Sequence, residues 1–274
     1  MKMNELPSVK SALFVPGNRP ERFSKAFATG ADRIIVDFED AVEEGLKRQA
    51  RDNLQAWLEL NPTARLMVRI NAFDHPEFCA DLDFCNSHSG VVAVLLPKTE
   101  SREQIEQVTA RGKRVWPLIE SAKGMEALAE IAQATNVERL TFGALDLGLD
   151  LGLRSNTVGA TRILDQVRYK LLLHTSLASL ARPVETVYPT IDDLEGLEAF
   201  ASSALQMGFG GMLCIHPNQV SIADRIFSPT DHEVEWARKV LAATQQNSGA
   251  FRLDGRMVDA PVLSQARRLL SGVR

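Results

Sequence analysis

Eight short apolar runs, at 12–15, 34–37, 66–70, 91–96, 115–119, 140–142, 184–188 and 212–215, recur along the chain, and most are followed by a stretch with helical spacing. Strands that alternate with helices in this way are parallel and joined by right-handed crossovers, because each helix must pack back onto the sheet it left. Runs that are apolar at nearly every position fit strands covered on both faces. The helical half of the pattern is clear at 42–60, where Leu46, Ala50, Leu54, Trp57 and Leu58 define one buried face. Ser101 with Gln104, and Thr230 with Glu233, have the spacing in which two side chains reciprocally satisfy free amides of a first helical turn. Gly30, Gly112 and Gly208 stand where helices would end in a left-handed residue.

These features predict a single closed (β/α)8 barrel, a TIM barrel, and 274 residues suit it, since such barrels take about 250. An open doubly wound sheet is the second architecture, and the lack of G-x-G-x-x-G after the first run counts against it. We expect a catalytic domain at 1–249, a polar break at 245–249, and a short C-terminal helical appendage at 250–274 with a helix from Pro261.

Charge is nearly balanced, with 31 basic against 35 acidic residues, so no global field favours nucleic acid or an anionic membrane and any anion must be held locally. The three cysteines, Cys79, Cys85 and Cys214, show no C-x-x-C spacing and no even count for a disulfide framework, which fits a reducing cytoplasm. The opening MKMNELPSVK has no apolar leader, and nowhere do roughly 18 apolar residues run together, so neither export nor membrane insertion is expected.

In such a barrel the chemistry sits at the C-terminal ends of the strands. Glu120 ends VWPLIE and Asp146 follows LTFGAL, so two carboxylates from runs five and six would share one mouth. Oxygen donors without a histidine companion suit a hard cation such as Mg2+; the other reading is that both acids cap the helices that follow. Arg69, inside LMVRIN, needs an anion, which could be a substrate carboxylate or an internal partner such as Asp37 or Glu39. Asp37 and Glu39 share strand parity and Asp40 starts the turn; their crowding could create a proton carrier or simply pair with arginine. Arg19, Arg22 and Lys25 form a small basic patch after run one, either a phosphate site or a solvated face. His216 stands at the end of run eight with no H-E-x-x-H or paired histidine to support zinc, and Lys98 in LLPK could form a Schiff base or reach solvent.

Taken together, SALFVPGNRPERFSKAFATGAD, VDFEDAV, VRIN, LPKTES, LIESAKG, FGALDLGLDLG, GFGGMLCIHPNQV, FSPTDHEVEWARKVL and GRMVDAP resemble, in order and across nearly the whole chain, the citrate lyase beta chain family of the HpcH/HpaI aldolase group. The resemblance implies a TIM barrel, usually trimeric, that uses Mg2+ to cleave or form a carbon–carbon bond between an acetyl thioester and a 2-keto acid. By motif, Glu120 and Asp146 would be the metal ligands and Arg69 the keto-acid clamp; Glu39 and Asp40, crowded beside it, are expected to be catalytic as well. Phe14, Arg19, Lys25, Ile215 and His216 would line the coenzyme A site, the amides of Gly143, Ala144 and Leu145 would stabilise an anion, and Asp259 would be an acid/base lent across the trimer. Glu185 and Thr186 depart from the Asp-Gly pair common in relatives, and the tail is short. The implied substrate is (S)-citramalyl-CoA, giving acetyl-CoA and pyruvate, with citryl or malyl thioesters next and an acyl carrier as a possible partner. The competing classes are a non-catalytic thioester-binding subunit and a Schiff-base aldolase using Lys98.

Overall fold

The computed structural model describes residues 8–244 and 249–271, so the start of the chain and most of the expected break at 245–249 lie outside the described residues. Each apolar run becomes a strand: Ser11–Pro16 (β1), Arg33–Asp37 (β2), Leu66–Arg69 (β3), Val91–Leu96 (β4), Arg114–Ile119 (β5), Thr141–Phe142 (β6), Val184–Glu185 (β7) and Gly211–Cys214 (β8). All pair in parallel in the order β6-β5-β4-β3-β2-β1-β8-β7. The ring is completed by the amides of Ala181 and Val184, which donate to the carbonyls of Glu138 and Leu140 at 3.1 Å each. The expected barrel is therefore present, closed at one seam by fewer bonds than elsewhere.

Strand alternation divides the core into two layers. Ala12, Ile35, Met67, Ala93, Leu95, Trp116, Leu118, Val184 and Leu213 fill the barrel interior. Their neighbours, among them Leu13, Val36, Val68, Val94 and Ile119, face the helices in one continuous cluster. Small Ala12 and Ala93 share the interior with Trp116, the bulkiest fully buried side chain, which is how a ring of short strands fills its centre without a void.

The surrounding helices are Phe23–Ala28 (α1), Lys47–Leu60 (α2), Phe78–Ser87 (α3), Arg102–Thr109 (α4), Ala122–Glu126 (α5), Leu128–Ala132 (α6), Ala144–Asp150 (α7), Val158–Leu177 (α8), Leu194–Met207 (α9) and Pro217–Ile226 (α10). Both expected capping boxes form, and Gly208 ends α9 at φ +112°, a conformation costly for any residue with a Cβ. Helix α2 starts later than its apolar spacing predicts. The Asp37 carboxylate takes the amides of Glu39 and Ala41 at 2.9 and 3.1 Å, which holds the preceding residues in a turn.

Beyond the barrel, Asp231–Ala243 (α11) and Ala260–Ser271 (α12) flank a hairpin of Phe251–Leu253 (β9) and Arg256–Val258 (β10). Asp254 and Gly255 at its tip have φ +47° and +79°, the doubly left-handed pair that a two-residue hairpin demands. Ala237, Val240, Val258 and Ala266 make a separate small core, so the unit packed around the tail begins at α11, upstream of residue 250. Among the described residues no helix is long and apolar enough to cross a membrane.

The weak seam has a side-chain brace. Arg168 of α8 grips the fully buried Glu185 through Nε and Nη2 at 2.9 and 3.0 Å, between the rings of Phe142 and Phe200. Glu185 thus points away from the mouth and serves closure of the ring. Removing one member strands a buried charge, so Arg168→Met should lower unfolding free energy in urea by about 3–5 kcal/mol. The double replacement Arg168→Met with Glu185→Leu should recover most of that loss.

Candidate active site

Asp37 ends β2 buried beside Arg69, which ends β3. The guanidinium forks onto it, Nε to Oδ1 at 2.7 Å and Nη2 to Oδ2 at 2.6 Å, while Phe14 packs beneath at 5.0 Å. The third nitrogen, Nη1, stands 2.9 Å from Glu39 Oε2 and 3.5 Å from Asp40 Oδ2. Burial works against the charge of Arg69, and the carboxylates of Asp37, Glu39 and Asp40 more than offset it, so the arginine holds its proton more firmly than usual. The internal partners weighed for Arg69 are both real, and only Nη1, beside the exposed Asp40, faces groups that an incoming anion could displace.

Glu39 meets both fates considered for it. Burial raises its pKa above the ordinary carboxylate value, against the pull of Arg69 and Lys98, and the same carboxylate bridges those two cations. The ammonium of Lys98 donates to Glu39 Oε1 and lies 3.8 Å from Asp40 Oδ1. Although burial opposes its charge, the hydrogen bond to Glu39 raises the pKa of Lys98. A Schiff-base lysine must shed its proton near neutrality, so this environment is wrong for that chemistry.

Glu120 follows β5 and is buried; its Oε2 accepts the Lys98 amide at 2.9 Å. Burial lifts its pKa to about 8, with the negative charges of Glu39 and Asp146 adding to the effect. Asp146 lies exposed in the first turn of α7, one strand over. Neither acid is a cap: Ser121 caps α5, and α7 begins at Gly143 without a side-chain bond. Gly143 lies against the Glu120 carboxylate so closely that a Cβ would come 2.5 Å from Oε1. Asp37, Glu39, Asp40 and Glu120 interact with Arg69 and Lys98, and Asp146 adds a further negative charge beside Glu120, so among the described residues oxygen donors outnumber the cations here, a set that fits a hard divalent cation at Glu120 and Asp146.

The remaining expected residues are distributed as follows. Arg19 and Lys25 are exposed at the β1 end and make no ion pair among the described residues, whereas Arg22 approaches Glu21 at 4.0 Å. Ile215 is exposed and its amide is tied to Gln219; His216 caps α10, its Nδ1 accepting the Asn218 amide at 3.3 Å, a structural rather than ligating pose. Two of the three expected anion-binding amides are already used. Gly143 donates to the Ile119 carbonyl and Ala144 to Thr186 Oγ1, so an anion would have to share or displace these bonds. Asp259 takes the amides of Val262 and Leu263 at the start of α12 and makes no hydrogen bond or ion pair to a mouth residue among the described residues.

One support was not anticipated from the sequence, and a second, Asn71, was visible there as a polar residue at a strand end without an assigned role. Lys47 is buried and donates to the Glu39 carbonyl at 2.8 Å; its position on the Ala50, Leu54 and Leu58 stripe was the available signal. Asn71, just past β3, is held through its amide and side chain by Asp81, itself paired to Arg51 at 2.6 Å.

A parallel barrel with carboxylates and one clamped arginine at its strand ends defines a (β/α)8 enzyme that works at the C-terminal mouth. Residues 10–217 match HpcH/HpaI aldolase/citrate lyase. The chain is 39% identical over 94% of its length to a citrate lyase subunit beta-like protein of Mycobacterium tuberculosis, of which 93% is covered. It is 33% identical to the (3S)-malyl-CoA thioesterase of Cereibacter sphaeroides, over 96% of this chain and 93% of that one. With the mitochondrial citramalyl-CoA lyase of Rattus norvegicus the identity is 28%, over 96% and 85%. The crystal structure of CitE from Mycobacterium tuberculosis with magnesium, acetoacetate and coenzyme A superposes at TM-score 0.83, 35% identity, covering 97% of this chain and 98% of that one. The chain belongs to the HpcH/HpaI aldolase/citrate lyase family, a family of lyases.

Because Glu120 holds its proton in the folded metal-free protein up to about pH 8 but releases it near 4.5 when unfolded, the folded state binds the extra proton between those values. Metal-free protein should therefore lose stability as pH rises through that window, by a few kcal/mol at most, and Glu120→Gln should flatten the loss in urea titrations. Gly143→Ala should fold yet bind Mn2+ about tenfold more weakly or worse, since the ligand it displaces cannot retreat.

Proposed function

We propose that this protein is a Mg2+-dependent lyase that cleaves a 3-hydroxy-3-carboxyl acyl thioester, with (S)-citramalyl-CoA, giving acetyl-CoA and pyruvate, as its substrate. The observation that carries the reading is the buried carboxyl of Glu120, fixed by the Lys98 amide with Asp146 as a further acid nearby, beside an arginine with one displaceable edge. The citramalyl-CoA lyase relative and the CitE complex with magnesium, acetoacetate and coenzyme A support both the ion and the substrate class.

In cleavage the 3-hydroxyl gives its proton to water at the open mouth, the bond between C2 and C3 breaks, its electrons pass to the thioester as an enolate, and C3 becomes the ketone of pyruvate. Glu120 and Asp146 would hold a Mg2+, which when bound would supply Lewis acidity toward the substrate's oxygens. Arg69, locked in plane by Asp37, presents Nη1 to the substrate carboxylate, which takes the place of Asp40. Glu39 and Asp40 balance the charge on Arg69 and Lys98 as that carboxylate arrives and leaves. Arg19 and Lys25, exposed beside β1, receive the phosphates of coenzyme A, and Phe14 and the Ile215 and His216 corner border the thioester arm.

Asp259 of a neighbouring subunit hands a proton to the enolate carbon. The absence, among the described residues, of a hydrogen bond or ion pair from it to its own mouth, the tail's separate core, and the exposed Leu145, Leu149 and Val158 around α7 support a site completed by assembly, in a trimer or a multiple of it. Three free cysteines, two of them buried, suit a cytoplasmic setting.

A panel of citramalyl-, malyl- and citryl-CoA with Mg2+, followed by keto-acid release, should give fastest turnover on citramalyl-CoA without an acyl carrier. Release of coenzyme A with the hydroxy acid intact would mark a thioesterase instead. Asp146→Ala should abolish turnover while circular dichroism stays unchanged, and an active variant rejects the ligand role. Mixed oligomers of Asp259→Ala and Glu120→Ala subunits, each inactive alone, should regain part of the activity; none after proven mixing rejects the shared site.

A further inference from the structure

Lys98, its ammonium held by Glu39, sits between the two halves of the mouth. We propose that Lys98 is a positioning residue that couples them, its backbone amide aiming the Glu120 carboxylate and its ammonium sharing Glu39 with Arg69. The inference rests on the metal-dependent reading above and assigns a residue that acts through its neighbours.

Two independent features carry it. Lys98 has φ +48°, a left-handed conformation that residues other than glycine and asparagine seldom adopt. The turn is held there on both sides: Thr99 Oγ1 donates to the Leu96 carbonyl at 2.7 Å and the Thr99 amide to the Leu118 carbonyl at 3.2 Å. In that conformation the Lys98 amide meets Glu120 Oε2 at 2.9 Å, while Gly143 closes the space at Oε1, so the carboxylate is fixed from both oxygens.

The side chain explains why a lysine stands where glycine would be at ease. Glu39 is buried, with Oε1 on the Lys98 ammonium and Oε2 at 2.9 Å from Arg69 Nη1 but out of line for a hydrogen bond. Were Lys98 uncharged, the whole charge of Glu39 would fall on Nη1, the edge needed by a substrate carboxylate. Sharing Glu39 keeps that edge open, and Lys47, anchoring the Glu39 carbonyl at 2.8 Å, prevents the loop from moving to compensate.

The test uses the full-length protein in its native assembly, with Mn2+ binding followed by electron paramagnetic resonance and pyruvate binding to the Mn2+-loaded protein by calorimetry. Lys98→Met and Lys98→Gly should weaken pyruvate about tenfold while Mn2+ affinity stays within about twofold, and Lys98→Arg should restore pyruvate binding. Lys98→Val, whose branched side chain resists φ +48°, should weaken Mn2+ about tenfold. Should that variant not fold, the Gly and Met pair still decides, because Gly must hold Mn2+ at least as well as Met. Pyruvate binding unchanged in Lys98→Met, or Mn2+ binding unchanged in folded Lys98→Val, overturns the inference alone. Wild-type protein that binds no Mn2+ overturns the metal-dependent reading and this inference with it.

Discussion

The fork between Arg69 and Asp37 is the constraint from which the mouth is built. It satisfies a half-buried guanidinium with a buried carboxylate across adjacent strands, and the same carboxylate takes the amides of Glu39 and Ala41. A buried ion pair of this kind adds little net stability once desolvation is counted, and its effect is to select one arrangement. Here that arrangement brings Glu39 within reach of Lys98, and Lys98 to Glu120, so that four strand ends share one electrostatic unit.

That unit is unbalanced in charge. Its acids outnumber its bases, and Glu120, whose burial with the added charge of Glu39 and Asp146 raises its pKa, holds a proton that a cation would displace. The barrel core supports this imbalance at a distance: the interior layer led by Trp116 and the helix-facing cluster fix the strand ends rigidly. The seam between β6 and β7 has fewer backbone bonds and relies on Arg168 and Glu185, which also sets Thr186 against the first amide of α7 and so orients the helix that carries Asp146.

Much of the fold was legible in the sequence because it depends on periodicity. The eight runs, both capping boxes and the glycine ends were local patterns with one physical solution each. The late start of α2 was not, since it follows from a side chain of β2 competing for loop amides. The chemistry-bearing residues were also visible as polar groups at strand ends, and the ordered motifs raised them above spacing alone. Their partners were not: whether Arg69 met Asp37 or an anion, and whether Glu120 capped the helix after it, stayed open until the strands were placed side by side. The amides of Gly143 and Ala144 looked available and were already bonded.

By itself the sequence determined the barrel, the strand ends on which polar residues would stand, and the kind of donors gathered there, because residue type and period act over a few neighbouring positions. Only the tertiary structure decided which charges neutralise one another, which amides are spent, and that Lys98 joins the acid pair to the arginine. Those outcomes depend on contacts between residues many positions apart, whose energies are set by burial and distance that no local pattern records.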